Sequence, residues 1–119
     1  LYINMDMISR SVVEDTARRQ LSIGTRAADT NLQELARQIN STLSHPFILD
    51  LWDVTGHSGS DYASFTAKNI PVMTYNTGLH NDYHTPRDIP AAADLVKMGD
   101  VLKLVNESLQ IFMSNSQQK

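Results

Sequence analysis

The sequence predicts an α/β fold with a partly parallel sheet, three strands alternating with three helices. Two observations carry this. Apolar residues recur at helical spacing in two long segments. Short apolar runs bounded by Gly, Pro, Asn and Ser fall before, between and after the shorter helices. The chain has 119 residues and a mass of 13.3 kDa, which fits one domain. Hydrophobic residues make up 41% and charged residues 19%, an ordinary globular composition that excludes a disordered, collagenous or coiled-coil chain. The net charge is −3 and no basic run stands out, so no nucleic-acid partner is expected. The absence of cysteine excludes a disulfide scaffold and thiolate chemistry. No apolar run approaches the ~20 residues of a membrane span.

The first strand is Leu1 to Ile8. Alternation sets Ile3, Met5 and Met7 on one face and Tyr2, Asn4, Asp6 and Ile8 on the other. Because the chain opens inside a strand, it reads as a piece of a longer protein with the missing part upstream. Residues 9–29 are charged and weakly periodic and read as a loop. Thr30-Asn31-Leu32-Gln33 has the form of a capping box. Leu32, Leu35, Ala36, Ile39 and Leu43 follow at helical spacing, so the helix is expected over 31–43, ended by His45-Pro46. Phe47 to Val54 is the second strand. Ser60 is expected to cap a short helix running from Asp61 to about Asn69. Ile70 to Tyr75 is the third strand, with Pro71 tolerated only at its start. A polar loop, Asn76 to Asp88, leads to a last helix from about Ala91 or Asp94 to Met113. Its expected buried stripe is Leu95, Met98, Leu102, Val105, Leu109 and Phe112. The polar end, Ser114 to Lys119, reads as a fraying terminus.

Ligands of open α/β sheets bind beyond the carboxyl ends of strands. Three loops qualify. Asp6 lies at the first; Asp53, His57 and Asp61 surround the second; His80, Asp82, Tyr83, His84 and Asp88 populate the third. Carboxylate and imidazole without thiolate suit a divalent ion, zinc foremost. Each residue also has a plainer reading. Asp6 can bond loop amides, His57 can be an exposed loop residue, Asp88 can cap the turn before the last helix, and Tyr83 can be packing. His80 and His84 have the spacing of a helical metal site, but Pro86 and Asn81-Asp82 favour a turn there. Asn40-Ser41-Thr42 and Asn106-Glu107-Ser108 match the glycosylation pattern, but fall in expected helices and read as chance.

Three segments, in order, carry a more specific likeness: Asn4-Met5-Asp6-Met7-Ile8; Gly59-Ser60-Asp61 with Ile70-Pro71 after it; and Tyr83-His84-Thr85-Pro86-Arg87-Asp88. Over nearly the whole chain the sequence resembles the C-terminal half of zinc exopeptidases of the aminopeptidase Y type, which share a superfamily with glutamate carboxypeptidase and glutaminyl cyclase. The resemblance implies that residues 1–119 are the C-terminal portion of a mixed-sheet metallopeptidase domain whose N-terminal half is absent. It implies two zinc ions per complete site, with Asp6 a ligand of one and His84 of the other, and with the Tyr83 hydroxyl stabilising the oxyanion. On that reading Asp6 and His84 converge to within about 8 Å. The family's early His-x-Asp and Glu-Glu motifs have no match among Glu14, Glu34 and Glu107, so the chain alone is expected to be inactive and incompletely loaded with zinc. Peptides are the implied substrates. Ser9 and Tyr62 depart from the family's usual Gly and His, which bears on pocket shape. Tyr83 stands where the cyclases have Trp and favours the peptidase branch. The alternatives are a cyclase or carboxypeptidase on the same fold, or a degenerate non-catalytic scaffold. The resemblance favours a periplasmic or extracellular location. A truncated sheet is also expected to self-associate through an exposed edge.

Overall fold

The structure, a computed structural model, describes residues 1–117. Four strands, β1 (Tyr2–Met5), β2 (Gln20–Thr25), β3 (Ile48–Asp53) and β4 (Val72–Asn76), form one mixed sheet in the order β1-β4-β2-β3. β1 runs parallel to β4 and β2 parallel to β3, while β2 and β4 pair antiparallel. Helices α1 (Thr30–Thr42) and α3 (Leu95–Gln117) cover one face, and the single-turn α2 (Tyr62–Thr66) lies on the other. A short 3₁₀ turn, Pro90–Ala92, precedes α3. Among the described residues no helix is long and apolar enough to cross a membrane.

The α/β mixed-sheet class matches the sequence reading; the strand count does not. β2, inside the stretch read as a loop, is an interior strand of the sheet. Leu21 and Ile23 point into the main core beside Met73 and Tyr75, under Leu32, Ala36 and Ile39 of α1 and Val101, Leu104 and Val105 of α3. On the opposite face Gly24 pairs with Trp52 and Thr74. A Cβ on Gly24 would lie 2.5 Å from Val54, 2.7 Å from Trp52 and 2.8 Å from Thr74, so only glycine lets these side chains close over the strand.

Other elements shift for identifiable reasons. The capping box does not form: Asp29 occupies the cap position of α1, its carboxylate is gripped by Arg26 at 2.6 and 2.9 Å, and Gln33 donates instead to Thr25 Oγ1. Ser60 does not cap α2, because its hydroxyl is engaged elsewhere. Beyond Met5 the chain leaves the strand. Met7 adopts a left-handed φ of 62°, and Ile8 packs on the same cluster as Ile3 rather than opposite it. α3 rolls away from the expected stripe. Lys97, Val101, Leu104, Val105 and Ser108 are buried, whereas Leu95 is 75% exposed, Leu102 48% and Leu109 38%. Two anchors set that roll: the Asp94 N–H donates to the Ser9 carbonyl, and Lys97 Nζ reaches Asp15 at 2.9 Å. The helix continues through Ser114–Gln117, past its expected end; residues 118–119 lie outside the described part.

Asn40 is not a modification site in this fold. It is buried, donates through Nδ2 to the Phe47 carbonyl and accepts the Phe47 N–H at Oδ1, clamping the turn from α1 into β3.

Candidate metal and peptide site

β1 and β4 run parallel, so their carboxyl ends emerge together. The chain leaving β1 is tied there to the chain leaving β4. Asp6 N–H donates to the Tyr75 carbonyl, Asn76 Nδ2 donates to the Asp6 carbonyl at 2.9 Å, and the Thr77 N–H and hydroxyl both donate to the Met7 carbonyl. The Asp6 side chain is fixed separately. Asn4 Nδ2, held by Thr74 Oγ1 at 3.0 Å, also donates to Ser60 Oγ, and Ser60 Oγ donates to Asp6 Oδ2 at 2.6 Å. Asp6 is thus a strand-end carboxylate held in one orientation from below. Its other oxygen, Oδ1, has no hydrogen-bond partner among the described residues. Asn4 and Ser60, which the sequence reading did not single out as site residues, supply that support. Their signal was present in the alternation that sets Asn4 on the face of Asp6, and in Ser60 directly before Asp61.

The third loop crosses above this end. Asp6, Ser60, Thr74, Asn76, Trp52, Tyr62 and Tyr83 line one open cavity of about 300 Å³. The His84 ring stacks on the Tyr83 ring at 3.8 Å between centroids and 20° between planes. His84 itself has φ +55°, a left-handed conformation that side chains other than glycine adopt at a cost of roughly 1–2 kcal/mol. The loop is held from outside by charge. Arg10 donates to Asp82 at 2.8 Å and to Asp88 at 3.1 Å, and Arg87 donates to Asp82 at 2.9 Å. The hydrogen bonds from Arg10 and Arg87 keep the Asp82 carboxyl below the usual carboxylate range. Asp88 therefore serves the loop clamp, and Asp94 caps α3 by accepting the Lys97 N–H at 3.0 Å.

The remaining sequence candidates separate. Residues 81–84 form a turn and residue 80 is loop, not helix, so His80 and His84 do not make a helical metal pair. His80 is buried, with Nε2 3.7 Å from Asp88 Oδ2 and Nδ1 without a hydrogen-bond partner among the described residues. His57 is exposed and meets Trp52 edge-on. Asp53 accepts the Thr55 N–H beside the second loop. Among the described residues, no three His, Asp or Glu side chains gather closely enough to hold a metal ion.

A pinned carboxylate and a phenol thus line one cavity at the carboxyl ends of β1 and β4, with an imidazole stacked on the phenol. The sequence profile of peptidase family M28 matches residues 1–109, and the chain belongs to that family. Members of the family are generally zinc-dependent peptidases. Comparison with curated proteins found no match, and neither did comparison with solved structures.

Proposed function

We propose that the chain is part of a two-zinc aminopeptidase that removes N-terminal residues from peptides. Its membership of peptidase family M28 is the observation that carries this reading. The donor set supports it as well. Asp6 offers a carboxylate oxygen free of hydrogen bonds among the described residues, and His84 offers an imidazole on the loop that brings Tyr83 into the same cavity. In the proposal Asp6 holds one zinc and His84 the other. Two zinc ions held there would supply an acidified water and would polarise the scissile carbonyl. Ser60 and Asn4 orient the Asp6 carboxylate, and Tyr83 donates its hydroxyl to the carbonyl oxygen as charge builds there. One donor per ion is short of a catalytic zinc site, which normally has three protein ligands. The other donors and the general base are proposed to lie in chain outside these 119 residues, and residues 1–119 alone to be inactive. Export to the periplasm or exterior is part of the same proposal and rests on the resemblance.

The test is zinc binding and peptide hydrolysis by the complete protein. His84→Ala and Asp6→Asn are each expected to lose one of two zinc equivalents and nearly all activity. Ser60→Ala should keep the fold and weaken zinc by roughly 10–100-fold, the usual effect of removing an orienting partner. Hydrolysis should require a free N-terminus. Two zincs retained by both ligand variants would sink the site assignment. Release of residues from the C-terminus, or cyclisation of N-terminal glutamine, would move the protein to a sister activity, and absence of zinc and turnover would make it a scaffold.

Self-association of the isolated chain is proposed through β1 or β3, the outer strands of the sheet among the described residues. Ile48 on β3 is 62% exposed and adds apolar surface to that edge. Sedimentation should show a dimer or larger species at micromolar concentration; a strict monomer would count against it.

A further inference from the structure

A second cavity, of about 230 Å³, opens beside the first on the same face of the sheet, and the two share Ser22 and Asn76 as lining residues. The shared wall adjoins the reacting end, since Asn76 is the residue that holds the Asp6 carbonyl. Val12 and Ile48 give the second cavity apolar side chains, while Leu21 and Leu49 turn theirs to the main core on the other face. Asp50 is its only charged lining residue. Asp50 stands on β3 opposite Ser22 of β2, so its side chain rises from the sheet face into this space.

No cation of the chain answers Asp50 among the described residues. Arg10, Arg18, Arg19, Arg26, Arg37, Arg87 and Lys97 all pair with carboxylates other than Asp50. A carboxylate on an outer strand also discourages pairing with another chain. That role asks only for exposure, and it does not require a cavity with apolar side chains that borders the first one.

We propose that this cavity is a side-chain subsite selecting a cationic residue, lysine or arginine, of the bound peptide, with Asp50 as its specificity residue. Val12 and Ile48 suit the methylene stem of such a side chain, and Asp50 receives its charged head. The proposal rests on the peptidase reading of the neighbouring site, but its test does not depend on turnover. Binding of L-lysinamide and of L-norleucinamide is measured by NMR titration on the complete protein and on its Asp50→Asn variant. The two ligands share the α-ammonium group and the aliphatic stem and differ in the terminal amine.

The native protein is expected to prefer lysinamide by roughly three- to fivefold, the size of a solvent-accessible ion pair. Asp50→Asn should abolish the preference while leaving norleucinamide binding unchanged. Equal binding of both ligands to the native protein, or a preference that survives in Asp50→Asn, would overturn the proposal. So would an equal loss for both ligands in the variant, which would assign Asp50 to the α-ammonium group. A Lys preference that vanishes in the variant, in a protein that hydrolyses no peptide, would leave the subsite standing and remove the aminopeptidase reading.

Discussion

Replacing Lys97 by Ala should destabilise the fold by about 3–5 kcal/mol, a large part of the ~5–15 kcal/mol that holds a typical domain together. Lys97 and Asp15 have side chains 1% and 2% exposed, and Lys97 Nζ donates to Asp15 Oδ2 at 2.9 Å and to Ser11 Oγ at 2.7 Å. Asp15 also accepts the backbone N–H groups of Arg19 and Gln20 at the entrance to β2. Without the ammonium, a carboxylate stays buried with its charge uncompensated. The paired variant Lys97→Met with Asp15→Leu should recover part of the loss and not all of it, because those two N–H groups then lose their acceptor. Denaturant titration of the two variants against the native chain checks this. A loss below ~1 kcal/mol for Lys97→Ala would mean that the pair is not buried in solution.

The same pair makes the fold acid-labile in a defined window. Burial pushes the Asp15 carboxyl up, but the Lys97 ammonium and the Gln20 and Arg19 N–H groups outweigh it and hold the group at about 2, against an ordinary value of 3.8. A carboxyl depressed by folding stabilises fully above its unfolded pKa and loses that contribution as pH falls through the folded one. About 2 kcal/mol should therefore disappear between about pH 4 and pH 2 in the native chain. Asp15→Asn should flatten that part of the stability curve.

Replacing Ile23 by Ala should cost about 2–5 kcal/mol. Ile23 is fully buried at the middle of the sheet, paired with Leu51 on one side and Tyr75 on the other. Truncation leaves a cavity bounded by two strands and by α1 and α3, and close-packed strands collapse poorly into such a space. The outcome separates two descriptions of the same residues. A loop over residues 9–29 would put Ile23 near the surface, where truncation costs no more than ~0.5 kcal/mol. Thermal or urea unfolding of this one variant distinguishes them.

That residue also shows why the strand was hard to read. β2 has only two large apolar side chains, Leu21 and Ile23, between Gln20, Ser22 and Gly24. The period-2 pattern is present, but it is short and follows a charged stretch, and Gly24 weakens it further. What makes the segment a strand is its neighbours: β3 and β4 supply partners on both sides, and Trp52, Val54 and Thr74 close over the bare backbone of Gly24. Strand propensity registers fit to surroundings more than backbone preference, so such a segment carries little signal alone.

α3 makes the complementary point. The apolar residues are spread over a wide arc, and helical spacing marks out the helix without choosing which part of the arc faces inward. The Lys97–Asp15 pair and the Asp94–Ser9 hydrogen bond, both between residues more than 80 positions apart, make that choice. Local periodicity sufficed for the α/β class, for α1, and for β1, β3 and β4, because each rests on apolar spacing within a few residues. The motifs around Asp6, Tyr83 and His84 were legible for the same reason, being short and contiguous. The strand β2, the roll of α3, the support of Asp6 by Asn4 and Ser60, and the two cavities that meet at Ser22 and Asn76 were decided only by the tertiary structure. Each depends on contacts between distant residues, and no local pattern encodes the partner.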